Sequence, residues 1–102
     1  MEKRTPHHNL VEVQVVVADP RSRPFTVTAL HGGLALGLSE PEMRQVVIAL
    51  QRKDFYKSMA TYADHKEWQD VYHGLTQDGI AVYIKITWYR DGRPPIIQFK
   101  EK

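Results

Sequence analysis

Three lysines and a tyrosine in the second half of the chain have the residue types and spacing to bind phosphate and to move protons. Tyr83 and Lys85 alternate with apolar residues over positions 80–87, so they share the polar face of one predicted strand. Lys57 and Lys100 occupy outward positions on two further predicted strands. If these strands form one sheet, the four side chains converge on the face that points away from the apolar core.

A phenol and several ammonium groups on one surface are enough for RNA cleavage by the ribose 2′-hydroxyl. That reaction needs a group that takes the 2′-OH proton, cations that stabilise the crowded phosphorane, and an acid that protonates the leaving 5′-oxygen. Lysine and tyrosine have ordinary pKa values near ~10, so neighbouring positive charge would have to lower the pKa of any base among them. The alternative interpretation of the same pattern is a solvated sheet face with no chemistry.

Other catalytic signatures are absent from the sequence. It contains no glycine-rich phosphate loop, HExxH or GxSxG motif, and the lack of cysteine excludes disulfides and thiolate zinc sites within this chain. His7 and His8 are adjacent and would point in different directions in regular structure, which makes them poor joint ligands. Asp64 and His65 lie in a predicted loop and could hold a divalent ion, but polar surface residues are the simpler interpretation. We therefore predict no metal site and no cofactor.

The composition is typical of one globular domain that covers residues 1–102. Hydrophobic residues make up 42% of the chain and charged residues 25%, with a formal net charge of +2. Residues 52–102 contain nine Lys and Arg against seven Asp and Glu, together with both Trp and all five Tyr. Basic and aromatic side chains together suit single-stranded nucleic acid, although an ordinary sheet also has this composition. The longest apolar runs, residues 46–50 and 80–84, have five residues each and are too short to cross a membrane, so we expect a cytoplasmic protein.

Three helices are predicted in the first half of the chain from apolar residues at helical spacing. The first is rich in β-branched valines, so a strand is nearly as plausible there. The second follows residues 26–28, which look extended, and Thr28 could cap it. The third begins with a capping box formed by Ser39 and Glu42. The predicted helices cover residues 10–17, 29–36 and 40–50.

Alternation with a period of two predicts an antiparallel sheet in the second half. In the first of its strands, Phe55 and Lys57 fall on one face and Tyr56 on the other. Turns are expected over residues 73–79 and at Asp91–Gly92. The predicted strands cover residues 53–62, 68–72, 80–87 and 96–100. With helices packed on the apolar face and the other face open, the expected fold class is α+β.

Seven blocks of the sequence carry a family resemblance: residues 1–7 (MEKRTPH), 54–59 (DFYKSM), 61–62 (TY), 64–65 (DH), 68–72 (WQDVY), 83–87 (YIKIT) and 99–102 (FKEK). In this order and spacing they resemble the MqsR family of toxin mRNA interferases. The similarity is dense from residue 53 onward and thinner over residues 10–50. Residues 19–25 and 89–96 depart from the family's pattern, and the second of these segments lies beside the last strands, where it can alter base preference.

The resemblance implies the toxin of a type II toxin–antitoxin system with a RelE-like microbial ribonuclease fold. Such a protein would be a metal-independent, sequence-specific endoribonuclease that cleaves free mRNA by attack of the 2′-hydroxyl, with a preference for GCU. It would be neutralised by an antitoxin of the MqsA type, which has a zinc-binding domain and a helix-turn-helix domain, and operator DNA would be bound only through that partner. The alternative is a non-catalytic RNA-binding or transcription-regulating module that uses the same basic face.

The family's functional positions match four residues of this chain, which are the expected catalytic residues Lys57, Gln69, Tyr83 and Lys100. In this interpretation Tyr83 and one lysine share proton transfer. Lys57 and Lys100 stabilise the phosphorane, and Gln69 positions the RNA. Further residues expected to contact RNA are His7, Asp64, His65 and Lys85.

Overall fold

Within the residues that the structure describes, one antiparallel sheet of five strands begins at the N terminus. In the computed structural model, which describes residues 1–60 and 67–102, neighbouring strands follow one another in chain order. The strands are β1 (Glu2–Lys3), β2 (Phe55–Ala60), β3 (Trp68–Leu75), β4 (Ala81–Thr87) and β5 (Ile96–Glu101). The helices are α1 (Leu10–Ala18), α2 (Val27–Ala35) and α3 (Glu40–Ile48), followed by a 3-10 helix at Arg52–Asp54. No helix in this described part is both long and apolar enough to cross a membrane.

The core lies between the helices and one face of the sheet, which confirms the predicted α+β class. On β4, Val82, Ile84 and Ile86 are at most 1% exposed, and they face the helices. Burial of these apolar side chains is the main force that holds the helices to the sheet. The helices contribute Val13, Val17, Ala29, Met43, Val46 and Val47 to the same core. The opposite face of the sheet, which we call the open face, carries the polar positions of β4.

The first predicted segment forms the helix α1 rather than a strand. Asn9 caps it, since its side-chain oxygen accepts a hydrogen bond from the N–H of Glu12 at 3.1 Å. Val13 and Val17 are four residues apart and fully buried on one side of the helix. The cap and the burial of one face outweigh the weak helix propensity of the valines.

The helix α2 begins earlier than predicted, so the expected extended segment over residues 26–28 is wrong. Its N-cap is Thr26 rather than Thr28, because the hydroxyl oxygen of Thr26 accepts a hydrogen bond from the N–H of Ala29 at 3.0 Å. The N–H of Thr26 in turn donates to the carbonyl of Ile97 on β5 at 3.2 Å. A contact with a distant strand therefore decides which threonine caps the helix.

The helix α3 begins with the capping box predicted from the sequence. The Ser39 hydroxyl oxygen accepts from the N–H of Glu42 at 3.2 Å, and the Glu42 carboxylate accepts from the N–H of Ser39 at 2.8 Å. Both donors would otherwise be unpaired at a helix start. The local sequence is sufficient to locate this helix end.

The strand β2 contains a β-bulge, which corrects the predicted faces of its residues. Phe55 pairs with Tyr72 and Lys57 pairs with Val71, so Tyr56 is an inserted residue opposite β3. The bulge turns Phe55 toward the core and places Tyr56 beside Lys57, whose Nζ lies 5.2 Å from the Tyr56 ring centroid. The prediction that Phe55 and Lys57 share a face is therefore wrong, because strict alternation cannot detect an inserted residue.

Both predicted turns exist, but the first is shorter than expected. The strand β3 continues past residue 72, so His73 pairs with Tyr83 instead of entering the turn. Gly79, with φ of +81°, lies in the turn that remains. The strands β4 and β5 pair across the loop that contains Asp91–Gly92, which confirms the predicted hairpin.

We expect Gly33→Ala to destabilise the protein, although alanine normally favours a helix over glycine by about 1 kcal/mol. A Cβ at position 33 would overlap the Met43 side chain where α2 meets α3, so the core would have to shift. Urea unfolding of this variant is best compared with that of Leu34→Ala, whose side chain is 72% exposed and should be nearly neutral. A Gly33→Ala protein more stable than wild type would show that the helices do not need this close approach.

Candidate active site

One row of three side chains crosses the open face on adjacent strands. Tyr83 of β4 lies opposite His73 of β3 on one side and Lys100 of β5 on the other. The ring centroids of His73 and Tyr83 are 5.1 Å apart, and Lys100 Nζ lies 6.0 Å from the Tyr83 centroid. The register thus places a phenol between an imidazole and an ammonium group.

A second row on the open face contains two lysines. Lys57 of β2 and Lys85 of β4 both lie opposite Val71 of β3, which they flank. Lys85 is two residues from Tyr83 on the same strand, a distance of about 6.6 Å along β4. The lysines therefore border the row of Tyr83 with positive charge.

Gln69 lies in a third row, opposite Met59 of β2 and Thr87 of β4. It shares the open face with His73 because the two residues are four positions apart on β3, or about 13 Å. The structure thus places all four expected catalytic residues on one face, with Gln69 toward the end of the sheet. Their roles in the reaction stay predictions.

Lys57 is held as a cation by the N-terminal strand. Its Nζ donates a hydrogen bond to the carboxylate of Glu2 at 2.7 Å. This hydrogen bond raises the pKa of Lys57 above its ordinary value, and its effect outweighs the opposing effect of desolvation. The same pair lowers the pKa of Glu2. Lys57 is therefore suited to stabilise negative charge and is a poor candidate for a general base at neutral pH.

Two aromatic side chains of the open face were missed by sequence reasoning. Tyr56, in the β2 bulge, stacks on His73 with 4.6 Å between ring centroids and 30° between the planes. His73 also contacts Tyr83, so three rings follow one another across three strands. Continuing the alternation of Gln69 along β3 would have placed His73 on this face. No local feature of the sequence predicts the bulge that brings Tyr56 to this face.

His73 is held as a neutral imidazole. Burial lowers its pKa below the ordinary value, and the charge of Lys102 lowers it further. Lys102 Nζ lies 3.3 Å from Nδ1, so the ring proton belongs on Nε2. Nε2 is buried and has no hydrogen-bond partner among residues 1–60 and 67–102. His73 therefore packs the two tyrosine rings together and does not present a free ring nitrogen to solvent.

His7 lies at the end of the sheet, away from the row of rings. The backbone N–H groups of His7 and His8 donate to the carboxylate of Asp70 at 2.8 to 3.1 Å. Asp70 is 1% exposed and also accepts a hydrogen bond from the Ser58 hydroxyl at 2.6 Å. The His7 ring stacks on Trp68, with 5.6 Å between centroids. Any contact of His7 with RNA would therefore occur at the sheet end and not among the lysines.

Asp64 and His65 lie outside the described residues, so their expected contacts with RNA stay predictions. Within residues 1–60 and 67–102, no group of three or more His, Asp or Glu side chains could hold a metal ion. The described open face carries ammonium, phenol, imidazole and amide groups in the rows given above, together with the Glu2 carboxylate that is paired with Lys57.

An antiparallel sheet backed by helices, with lysines and aromatic rings on its open face, defines a class of small basic-faced α+β proteins. The sequence model of the family described as "Motility quorum-sensing regulator, toxin of MqsA" matches residues 5–101. The mRNA interferase toxin MqsR of Escherichia coli (strain K12) is 47% identical over 102 residues, and the alignment covers 100% of both chains. The chain therefore belongs to the MqsR toxin family, which confirms the resemblance seen in the sequence.

We expect Tyr83→Phe to reduce RNA cleavage by ~100-fold or more, as the predicted part of the phenol in proton transfer requires. Stability should change by less than about 0.5 kcal/mol, since the substitution removes one oxygen from a half-buried ring. Single-turnover cleavage and thermal unfolding of the same preparations test both points. Tyr56→Phe is the matched control, because it keeps the ring on His73 and removes a hydroxyl to which no role is assigned. A fully active Tyr83→Phe protein would remove this hydroxyl from the mechanism.

We expect acid to destabilise the protein through His73. Its pKa is lowered in the folded state, so the unfolded chain binds more protons once the pH falls below the ordinary histidine value near ~6.5. The contribution of His73 to the free energy of unfolding is therefore complete above that pH. It decreases as the pH drops toward the lowered pKa and then levels off. The fall in melting temperature between neutral and mildly acidic pH should be smaller for His73→Gln than for His31→Gln, whose histidine is exposed on α2. Equal falls in the two variants would contradict this.

Proposed function

We propose that this protein is the toxin of a toxin–antitoxin system and that it cleaves mRNA as an endoribonuclease at its open face. The observation that carries the proposal is the row of His73, Tyr83 and Lys100, bordered by Lys57 and Lys85. Family membership supports the same function, because the family is described as the toxin of MqsA and its Escherichia coli relative is named an mRNA interferase. A basic and aromatic sheet surface suits an extended RNA strand.

The proposed reaction is attack of a ribose 2′-oxygen on the adjacent phosphorus. A P–O bond forms to the 2′-oxygen and the bond to the 5′-oxygen breaks, which leaves a 2′,3′-cyclic phosphate and a 5′-hydroxyl. Tyr83 and a lysine share the two proton transfers. Lys57 and Lys100 stabilise the extra negative charge of the phosphorane, and the ion pair with Glu2 suits Lys57 to this part because it keeps the lysine protonated.

Two further residues of the open face would hold the RNA in place. Lys85 lies beside Tyr83 and would bind a phosphate of the substrate. Gln69 is farther along the sheet and would position a neighbouring nucleotide through its amide group. Both proposals follow from the strand register, which leaves these side chains on the face that the lysines border.

The proposed chemistry does not require a metal ion. Sites that use two metal ions for phosphate chemistry need several carboxylates close together. Around the proposed phosphate position the described open face instead carries ammonium and phenol groups, with the Glu2 carboxylate paired to Lys57. The cations that stabilise the phosphorane are then supplied by the chain itself.

The partner that we propose is an antitoxin of the MqsA type, with a zinc-binding domain and a helix-turn-helix domain that binds operator DNA. The family description names MqsA, which supports a partner of this kind. The resemblance further implies a preference for GCU, a RelE-like fold and, because the substrate is mRNA, a cytoplasmic location.

We expect the purified protein to cleave a defined transcript in excess chelator and to leave 2′,3′-cyclic phosphate ends. Mapping both ends of the products tests the mechanism and the sequence preference in one experiment. Activity that depends on added magnesium or manganese, or products with 3′-hydroxyl ends, would contradict the proposed reaction. RNA that shifts in a gel but stays intact would favour the non-catalytic RNA-binding module instead.

A further inference from the structure

A pocket of about 570 Å³ opens at the end of the sheet, next to the row of Gln69 and Thr87. One wall consists of the N-terminal segment with His7 and of Trp68 at the start of β3. Another wall is formed in the loop that follows β4 by Trp88, Tyr89, Arg90, Asp91 and Arg93. Thr87 lines the pocket and belongs to the third row of the open face, so the pocket adjoins the surface on which we place RNA.

The lining of this pocket combines aromatic rings with two arginines. Arg90 lies over Trp88 and Arg93 lies over Tyr89, with 4.2 Å between cation and ring centroid in each pair, and the Trp68 ring stacks with His7. Proteins bind unstacked bases of single-stranded RNA by stacking them on aromatic rings and on the guanidinium groups of arginines. The pocket thus offers the surfaces on which such a base stacks.

The charges in the pocket are paired, which favours a base over a phosphate. Arg90 binds Glu12 at 2.6 Å and Arg93 binds Asp91 at 2.7 Å, and Glu67 adds a further carboxylate to the lining. A phosphate would therefore meet three negative groups. The edge of a base presents donors and acceptors together, and arginines and carboxylates can bind both kinds.

The loop wall is held in shape by contacts within the chain. The indole N–H of Trp88 donates to the backbone carbonyl of Arg93 at 3.1 Å, and the Trp88 ring packs against the core. On the other wall, the His8 ring is hydrogen-bonded to the carbonyl of Trp68 at 2.8 Å. A pocket that is already ordered loses less entropy when it binds.

We propose that this pocket binds one unstacked base of single-stranded RNA, from a nucleotide that flanks the cleavage position. The inference rests on the proposed function and assigns a base-binding subsite to the same substrate. Tyr83 and Thr87 are four residues apart on β4, or about 13 Å, so the pocket is separate from the phosphate held near Tyr83. An extended strand would occupy both places at once.

Binding of short 2′-O-methyl RNA tests the pocket apart from catalysis, because this RNA has no free 2′-hydroxyl. Abasic positions are introduced one at a time, and dissociation constants are measured by fluorescence anisotropy. In the wild type, one abasic position should weaken binding about 10-fold or more, as expected for the loss of one stacked base. Tyr89→Ala and Arg93→Gln should weaken binding of the intact RNA to a similar extent, and the same abasic position should then have little effect.

Arg21→Gln is the matched control for Arg93→Gln. Arg21 pairs with Asp19 two residues before it, as Arg93 pairs with Asp91, but Arg21 lies outside the pocket lining. This control should bind RNA like the wild type and keep the abasic penalty.

Two results separate the failure of this inference from the failure of the proposed function. An abasic penalty of unchanged size in Tyr89→Ala and Arg93→Gln, in a protein that still cleaves RNA, would overturn the pocket and leave the nuclease activity. If both variants abolish the abasic penalty but the wild-type protein does not cleave RNA, the base-binding pocket would be supported and the proposed nuclease activity would be overturned.

Discussion

The placement of the candidate site depends on the buried carboxylate of Asp70. This residue lies on the middle strand of the sheet and accepts hydrogen bonds from two backbone N–H groups of the N-terminal segment and from the Ser58 hydroxyl. Burying this carboxylate without such donors would cost several kcal/mol. The fold can therefore bury Asp70 only if the N-terminal segment and Ser58 supply their hydrogen bonds. The N-terminal segment is therefore tied to the centre of the sheet, although it contributes only the two residues of β1 to the strand pairing.

This attachment of the N-terminal segment arranges both ends of the open face. Near the row of lysines, Glu2 pairs with Lys57 and keeps it charged. At the end of the sheet, Lys3 and His7 lie against Trp68, and His7 and Trp68 line the pocket. One short segment thus sets the charge of an expected catalytic lysine and the shape of the proposed base-binding subsite. A change that loosens its hold on Asp70 would affect both.

The sheet separates the packing of the core from the chemistry of the open face. On β4, Ile84 is fully buried among the helices, while Tyr83 beside it points to the opposite side. Hydrogen bonding between strands then sets the spacing of His73, Tyr83 and Lys100 without any demand on the core. The bulge at Tyr56 adds a ring to this row at the expense of one regular pairing, and bulges are frequent beside active sites.

Features that depend on near neighbours in the chain were accessible from the sequence alone. Alternation over residues 80–87 identified the outward direction of Tyr83, and the capping box at Ser39 located the start of α3. Gln69 was found only through the family resemblance. Features set by contacts between distant segments required the folded chain, namely the Thr26 cap, the Tyr56 bulge, the pairing of His73 with Tyr83, the Glu2–Lys57 pair and the donors to Asp70. Periodicity reports on residues a few positions apart, whereas strand register and the burial of a charge arise only when remote segments meet.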